Sequence, residues 1–379
     1  MKCEHFGTCG SCTIYDLSYE AELAEKKERV LGLLSPFEVK DLEVFSAQPS
    51  HYRARSEFKI WHDEDTCSYA MSYLAKDGER KKGALSITEC PKVIAPIEKR
   101  MQPLLDKVNS SEVLKHRLFS IEFLATTTDE CLITMIYHRK LADDWNEEAK
   151  ALEQLLNTKI MGRSRKQKVI LSDEFVTEKL FIDGQDYFYK HYESGFTQPN
   201  PAVNVQMIEW AISQAKKVEG NGDFLESYCG LGNFTLPLSK YFDRVLATEI
   251  SKRSIYAAKE NCELNDVNNI EFIRLASEEM TQALNKEREF TRLKDVDLDA
   301  YNFSTVLVDP PRAGLDMDTI KLIQGIENII YISCNPETLA RDLVELTKTH
   351  SIDDSAIYDQ FPHTQHVESG VFLRKNIIE

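Results

Sequence analysis

Short apolar runs that recur between helical patterns, from about residue 200 onward, constrain this chain more than any other feature. Residues 223–227, 244–249, 305–308 and 329–332 each read as a buried strand, and helix-like stretches such as 205–216 separate them. Parallel neighbours need a long crossover, usually a helix, so this alternation predicts an α/β half built on a parallel, doubly wound sheet. Such sheets present ligands at the C-terminal ends of their strands. The residues just after each run are therefore the place to look for chemistry.

The first run leads into Tyr228-Cys229-Gly230-Leu231-Gly232-Asn233-Phe234, a glycine turn that lets the backbone approach a bound cofactor closely. The second ends in Glu249, an acid about twenty residues further on, where a ribose with two free hydroxyls is held in such folds. Tyr228, Asn233 and Glu249 suit an adenosine-type cofactor. NAD is the rival, against which the missing third glycine counts. The third run meets Asp309-Pro310-Pro311-Arg312, whose prolines fix the backbone where Asp309 emerges. The fourth ends in Ser333-Cys334-Asn335-Pro336, where proline stops the ladder. A lone cysteine there is ordinarily a small core hydrophobe; its company argues otherwise. Glu368 stands just before a closing apolar strand.

The other half opens with Cys3-x5-Cys9-Gly10-Ser11-Cys12, compact enough for three thiolates to converge. Tetrahedral zinc or an iron–sulfur cubane needs a fourth ligand, for which Cys90, followed by Pro91, is the first candidate and Cys67 or Cys131 the fallback. Three unrelated thiols are the plainer alternative. An amphipathic helix is expected over 17–34, with its charged residues as a solvated face and with docking on the C-terminal half as an option. Residues 52–140 read as strands, with 120–126 and 131–138 as an antiparallel pair. Three basic clusters, Arg53/Arg55/Lys59, Arg80/Lys81/Lys82 and Arg163/Arg165/Lys166/Lys168, are solvated faces or RNA-phosphate contacts. His116 and His138 are left as structural. A domain boundary is expected near Lys190-His191.

A formal charge of −16 excludes a generally basic, non-specific nucleic-acid binder but not a local basic face. No apolar run reaches the length of a membrane span, and the N-terminus lacks an apolar signal region. A cytoplasmic protein is expected, without membrane contact or an obligate protein partner. Its nine cysteines are then thiols, metal ligands or nucleophiles before disulfides.

In combination, Cys229-Gly230-x-Gly232-Asn233-Phe234, Val308-Asp309-Pro310-Pro311-Arg312-x-Gly314, Ser333-Cys334-Asn335-Pro336-Glu337-Thr338-Leu339 and His366-x-Glu368-x-Gly370-Val371 are highly specific. They resemble the RNA uridine C5-methyltransferase family, and within it the members that act on tRNA. The closer match rests on Phe196-Thr197-Gln198-Pro199-Asn200, Asn204-x-Gln206-Met207 and His51-Tyr52-Arg53-x-Arg55-x-Glu57-Phe58. The resemblance implies a Rossmann-like, S-adenosylmethionine-dependent domain over 191–379 and an α+β RNA-binding region over 1–190. It implies that Gln198, Tyr228, Asn233, Glu249 and Asp309 bind the donor, that Cys334 is the nucleophile and that Glu368 is the base. The substrate it implies is the T-loop uridine of tRNA, with the equivalent uridine of tmRNA. Cys3, Cys9, Cys12 and Cys90 resemble instead the [4Fe-4S] ligands of the ribosomal-RNA members. That makes rRNA the alternative substrate and puts the cluster ahead of zinc. The rivals from other classes are a nicotinamide oxidoreductase, which has no use for Asp309-Pro310-Pro311-Arg312 with Cys334-Asn335-Pro336, and a non-enzymatic RNA-binding iron–sulfur protein.

Overall fold

The computed structural model describes residues 2–75, 83–218 and 222–377. The basic cluster Arg80/Lys81/Lys82 lies outside the described residues. In chain order the strands are β1 (Glu43–Phe45), β2 (Arg55–Asp63), β3 (Thr66–Met71), β4 (Leu85–Ile87), β5 (Leu118–Ala125), β6 (Cys131–Tyr137), β7 (Lys159–Ser164) and β8 (Gln167–Ile170). They continue as β9 (Phe175–Ile182), β10 (Gln185–Tyr192), β11 (Asp223–Ser227), β12 (Val245–Thr248), β13 (Ile270–Ile273), β14 (Phe303–Val308), β15 (Asn328–Ser333), β16 (His350–Tyr358) and β17 (Glu368–Lys375).

Strands β2–β8 form one sheet in the order β4-β3-β2-β5-β6-β7-β8. The expected antiparallel pair is β5 with β6, in the register Phe123 opposite Ile133. Residues 52–140 are not all strand, however. A helix over Ala95–Ser110 interrupts them and buries Ile97, Met101, Leu104, Leu105 and Val108 against this sheet. That spacing is helical; Pro96, in the first turn where proline is tolerated, and Pro103 obscured it.

The second sheet has the order β1-β16-β17-β15-β14-β11-β12-β13. Strands β11 to β15 pair in parallel, as the alternating pattern requires. The sheet is not wholly parallel, because β17 runs antiparallel to both β15 and β16. The connection between β16 and β17 is too short for a helical crossover, so the chain must reverse there. β14 and β15 are buried almost throughout, as strands covered on both faces must be.

Two pieces cross the expected boundary. The residue-190 division falls inside β10, and the β9–β10 hairpin packs Leu180, Ile182, Tyr187 and Tyr189 into the core around the helix Pro201–Ala215. The N-terminal helix, Tyr19–Leu34, starts at the Ser18 cap and buries Val30 and Leu34 among β14, β15 and β17 residues; β1 pairs with β16. Its charged residues are not simply a solvated face, since Glu22 and Lys26 are among the most buried side chains in the chain. Among the described residues no helix is long and apolar enough to cross a membrane.

Candidate active site

Four strands of the second sheet deliver their next residue to one edge. Tyr228 follows β11, Glu249 follows β12, Asp309 follows β14 and Cys334 follows β15. Because β17 runs the other way, its first residue, Glu368, arrives at that same edge. The ladder between β15 and β17 pairs Ser333 with Ser369, so one step further brings Cys334 opposite Glu368. The edge lies where β11 and β14 meet and the strand order changes direction, the switch point at which open α/β sheets hold ligands.

A cavity opens at that point, lined by Gln198, Tyr228, Gly230, Asn233 and Asp309 together with Asn204, Glu226 and His191. The turn below it is backbone-driven. Gly232 has φ +88°, and a Cβ there would come within 2.4 Å of Leu236. Tyr228 takes φ +66°, a left-handed conformation costly for a bulky residue and characteristic of functional turns. Asn233 exchanges two 2.9 Å hydrogen bonds with Asn204, which fixes its amide. Glu249 sits behind the turn, where its carboxylate accepts hydrogen bonds from Gly230 N (3.2 Å) and Ser251 N (2.7 Å).

The carboxyls here are unusual. Glu226, 1% exposed, is pushed up to about 8 by burial and by Asp309, and its Oε2 has no hydrogen-bond partner. Burial raises Asp309 to about 7. Burial and then Asp309 raise Glu368 to about 8. Cys334 is half-buried, and burial, Glu368 and Asp309 lift its thiol to about 11, against the pull of Arg312. His191 is pushed down to about 4 by burial and by Arg55. Desolvated acids around a thiol are primed to ionise when a positive charge enters. Sequence reasoning missed Glu226, although an acid inside the apolar run Phe224-Leu225-Glu226 was a visible signal. Asn204 was visible as part of the Asn204-x-Gln206-Met207 motif, without a role assigned to it, and His191 gave no signal.

The four N-terminal thiols come close enough to influence one another. Cys9, Cys12 and Cys90 are raised by burial and, to a smaller extent, by neighbouring members of the set that includes Cys3; Cys12 reaches about 11. Among the described residues, no three His, Cys, Asp or Glu side chains gather around one point as ligands of an ion would. Lys92, 4% exposed, donates to Ser11 O (2.9 Å) and Ser11 Oγ (3.3 Å) of the cysteine loop. Burial lowers Lys92, while Cys12, Cys90 and Cys9 draw it back up. A Cβ on Gly10 would approach Ser72 Oγ to 2.9 Å, so the loop sits tight against the segment after β3. The fallback ligands lie elsewhere: Cys67 is beside His62, and Cys131 is buried in β6.

The basic clusters divide. Arg55 is committed to Glu122 and to the carbonyls of Glu193 and Gly195, while Arg163 and Lys168 pair with Glu193. Those cations join the two halves of the chain. Lys59 pairs with Glu57 (2.7 Å) on its own strand and also lies 4.3 Å from the centroid of exposed Phe119, which stacks on exposed His138 at 4.2 Å. His138, read as structural from sequence, is thus part of an outward stack. A groove between the cysteine loop and residues 361–366 is lined by Arg53, Lys92, Arg312, Phe361 and His366.

A tRNA/tmRNA (uracil-C(5))-methyltransferase of Sulfurovum sp. is 69% identical over 99% of this chain and all of the relative's length. One of Nitratiruptor sp. is 47% identical with the same coverage. The crystal structure of Pyrococcus abyssi tRNA (uracil-54, C5)-methyltransferase with S-adenosyl-L-homocysteine has the same fold, with TM-score 0.71 and 24% identity, and covers 96% of this chain and 85% of its own. The model of the tRNA (uracil-5-)-methyltransferase family matches residues 18–376, and the chain belongs to that family.

Proposed function

We propose that this protein methylates carbon 5 of the T-loop uridine of tRNA, and of the equivalent uridine of tmRNA, forming 5-methyluridine through a covalent adduct with Cys334. The observation that carries the reading is the placement of Cys334 opposite Glu368, beside Asp309 and the cofactor cavity. The relatives' names favour tRNA and tmRNA, whereas ribosomal RNA has only the cysteine spacing behind it.

Carbon 5 of uracil is a poor nucleophile. Cys334 loses its proton to solvent as its sulfur adds to carbon 6, and the resulting enolate makes carbon 5 reactive. S-adenosylmethionine, when bound, supplies an electrophilic methyl group on a positively charged sulfur. Glu368 then removes the proton left on carbon 5, and elimination breaks the sulfur–carbon bond and frees Cys334. General-base assistance of this kind is worth about 10²–10⁴-fold. Glu368 must be ionised for its step, and a positive charge near Glu226, Asp309 and Glu368 draws these carboxyls toward that form. Gln198, Tyr228, Asn233 and Asp309 hold the donor. Each Glu249 oxygen keeps a lone pair for a ribose hydroxyl. Residues 191–379 carry this chemistry, and residues 1–190 supply the RNA-binding region, apart from the N-terminal helix, β1 and the β9–β10 hairpin. The uridine has to leave its stack to reach Cys334. The Lys59–Phe119–His138 stack and the Arg53/Arg312 groove offer the aromatic faces and cations that single-stranded RNA requires.

Cys3, Cys9, Cys12 and Cys90 would hold a [4Fe-4S] cluster. The reading rests on the Cys3-x5-Cys9-x2-Cys12 spacing with Cys90, since among the described residues the side chains do not gather around one point; Lys92, which feels Cys12, Cys90 and Cys9, would offset part of the charge of four thiolates. The methyl transfer needs no electron, so its contribution is structural.

Glu368→Gln tests the mechanism. With tRNA and donor it should accumulate a protein–RNA adduct that survives a denaturing gel and vanishes when Cys334→Ala is added. Free methylated tRNA at the normal rate would overturn the assignment.

A further inference from the structure

Glu368 is delivered by residues 359–367, a connection without helix or strand between β16 and β17, whose ladder pairs Tyr358 with Glu368. Such a segment does not hold its shape by itself. The structure ties it instead to the start of the chain. Lys26 Nζ lies 2.8 Å from Asp359 Oδ1, 2.7 Å from Glu22 Oε1 and 3.3 Å from Phe361 O. Tyr19 donates to Asp359 Oδ2 at 2.7 Å. His363 N donates to Glu22 Oε1 at 2.8 Å, and its Nδ1 lies 3.3 Å from Glu22 Oε2. Arg29 reaches Gln365 O at 2.7 Å, Tyr52 reaches Pro362 O at 3.2 Å, and Thr13 N and Ile14 N donate to His363 O. The connection is therefore gripped at 359, 361, 362, 363 and 365 by side chains and backbone from residues 13–52.

Lys26, Glu22 and Asp359 are each 1–2% exposed. A buried ion cluster of this kind is weak evidence for stability, since apolar replacements of similar volume are often neutral or stabilising. What it provides is a fixed geometry, and that geometry ends at the residue opposite Cys334. The geometry points to Lys26, acting through Asp359 and the 359–367 connection, as a positioning residue for Glu368. This rests on the reading of Glu368 as the base. Its consequence is specific. Loosening the clamp leaves the donor cavity and the Cys334 strand in place, so addition and methylation proceed while proton removal slows.

The test uses full-length protein, tRNA and S-adenosylmethionine under single-turnover conditions. Donor affinity and the rise and decay of the denaturation-stable adduct are measured for wild type, Lys26→Met, Tyr19→Phe and Glu368→Gln. A misplacement of about 1 Å costs about 100-fold, so adduct decay should slow about 100-fold in Lys26→Met and about tenfold in Tyr19→Phe. With tRNA saturating, so that weaker binding at the groove lined by Phe361 and His366 does not limit the reaction, adduct formation should stay at its wild-type rate, and donor affinity at its wild-type value. Tyr19→Phe removes one hydroxyl and leaves the ion cluster intact, so it decides the matter if Lys26→Met fails to fold. Wild-type adduct decay, or formation and decay slowed equally, would overturn the inference. A Glu368→Gln protein that traps no adduct would sink the reading of Glu368 itself, and this inference with it.

Discussion

Replacing Glu226 with Gln should change how stability depends on pH, in a direction the structure fixes. Glu226 is buried in β11, one oxygen lacks a partner, and burial with Asp309 pushes it from an ordinary 4.5 to about 8. Between those two values the folded chain keeps a proton that the unfolded chain gives up. Stability therefore falls as pH rises through that window, by about 1.4 kcal/mol per pH unit, and the loss stops growing above about pH 8. Gln has nearly the same volume and no ionisation, so the variant lacks this component. Asp309 and Glu368, also raised, give the same sign in both proteins, so their contributions cancel except for the Glu226–Asp309 coupling, which the variant also removes. Chemical denaturation of donor-free protein at pH 5.5 and 7.5 measures it. The variant should gain about 3 kcal/mol relative to wild type between those two pH values, a figure that solvent relaxation around the ionised group would reduce. Parallel pH dependences would refute the picture of a protonated, unpaired carboxyl beside the cofactor cavity.

Cys334→Ala should abolish methyl transfer and leave donor affinity intact, since the thiol acts on the uracil; equilibrium binding and turnover of one preparation check both. Donor binding near pH 7 should release protons, because a cation entering beside Glu226, Asp309 and Glu368 pulls their raised values down. Titration calorimetry in two buffers of different ionisation heat would show it, and a buffer-independent heat would contradict it. Protein purified without oxygen should be brown, with about four iron atoms per chain. Cys12→Ser should bleach it and lower the melting temperature while donor affinity survives. A colourless protein with one zinc would redirect the metal assignment.

The edge of the second sheet was legible because its signals are local: an apolar run, then Tyr228, Glu249, Asp309 or Cys334. The reversal of β17 was not, although it is what brings Glu368 to the same edge; nothing within Ser369-Gly370-Val371 records strand direction. Burial of Glu22 and Lys26 was also hidden, because their i, i+4 spacing is that of an ordinary solvated pair. Only Asp359 and His363, more than 300 residues away in sequence, turn it into an interior cluster. The same limit applies to Arg55, whose partner Glu122 becomes a neighbour only when β2 pairs with β5, and to Arg163, whose partner Glu193 lies across the residue-190 division. Local pattern carried the strands and turns, while side-chain partners set by tertiary contact stayed out of reach.

The most direct test of the central claim is to incubate the purified protein with methyl-labelled S-adenosylmethionine and, separately, undermodified tRNA, tmRNA and ribosomal RNA, then map the label. The account predicts 5-methyluridine at the T-loop uridine of tRNA and its tmRNA equivalent, with none in ribosomal RNA. Label confined to ribosomal RNA, or to a tRNA position outside the T-loop, would contradict it.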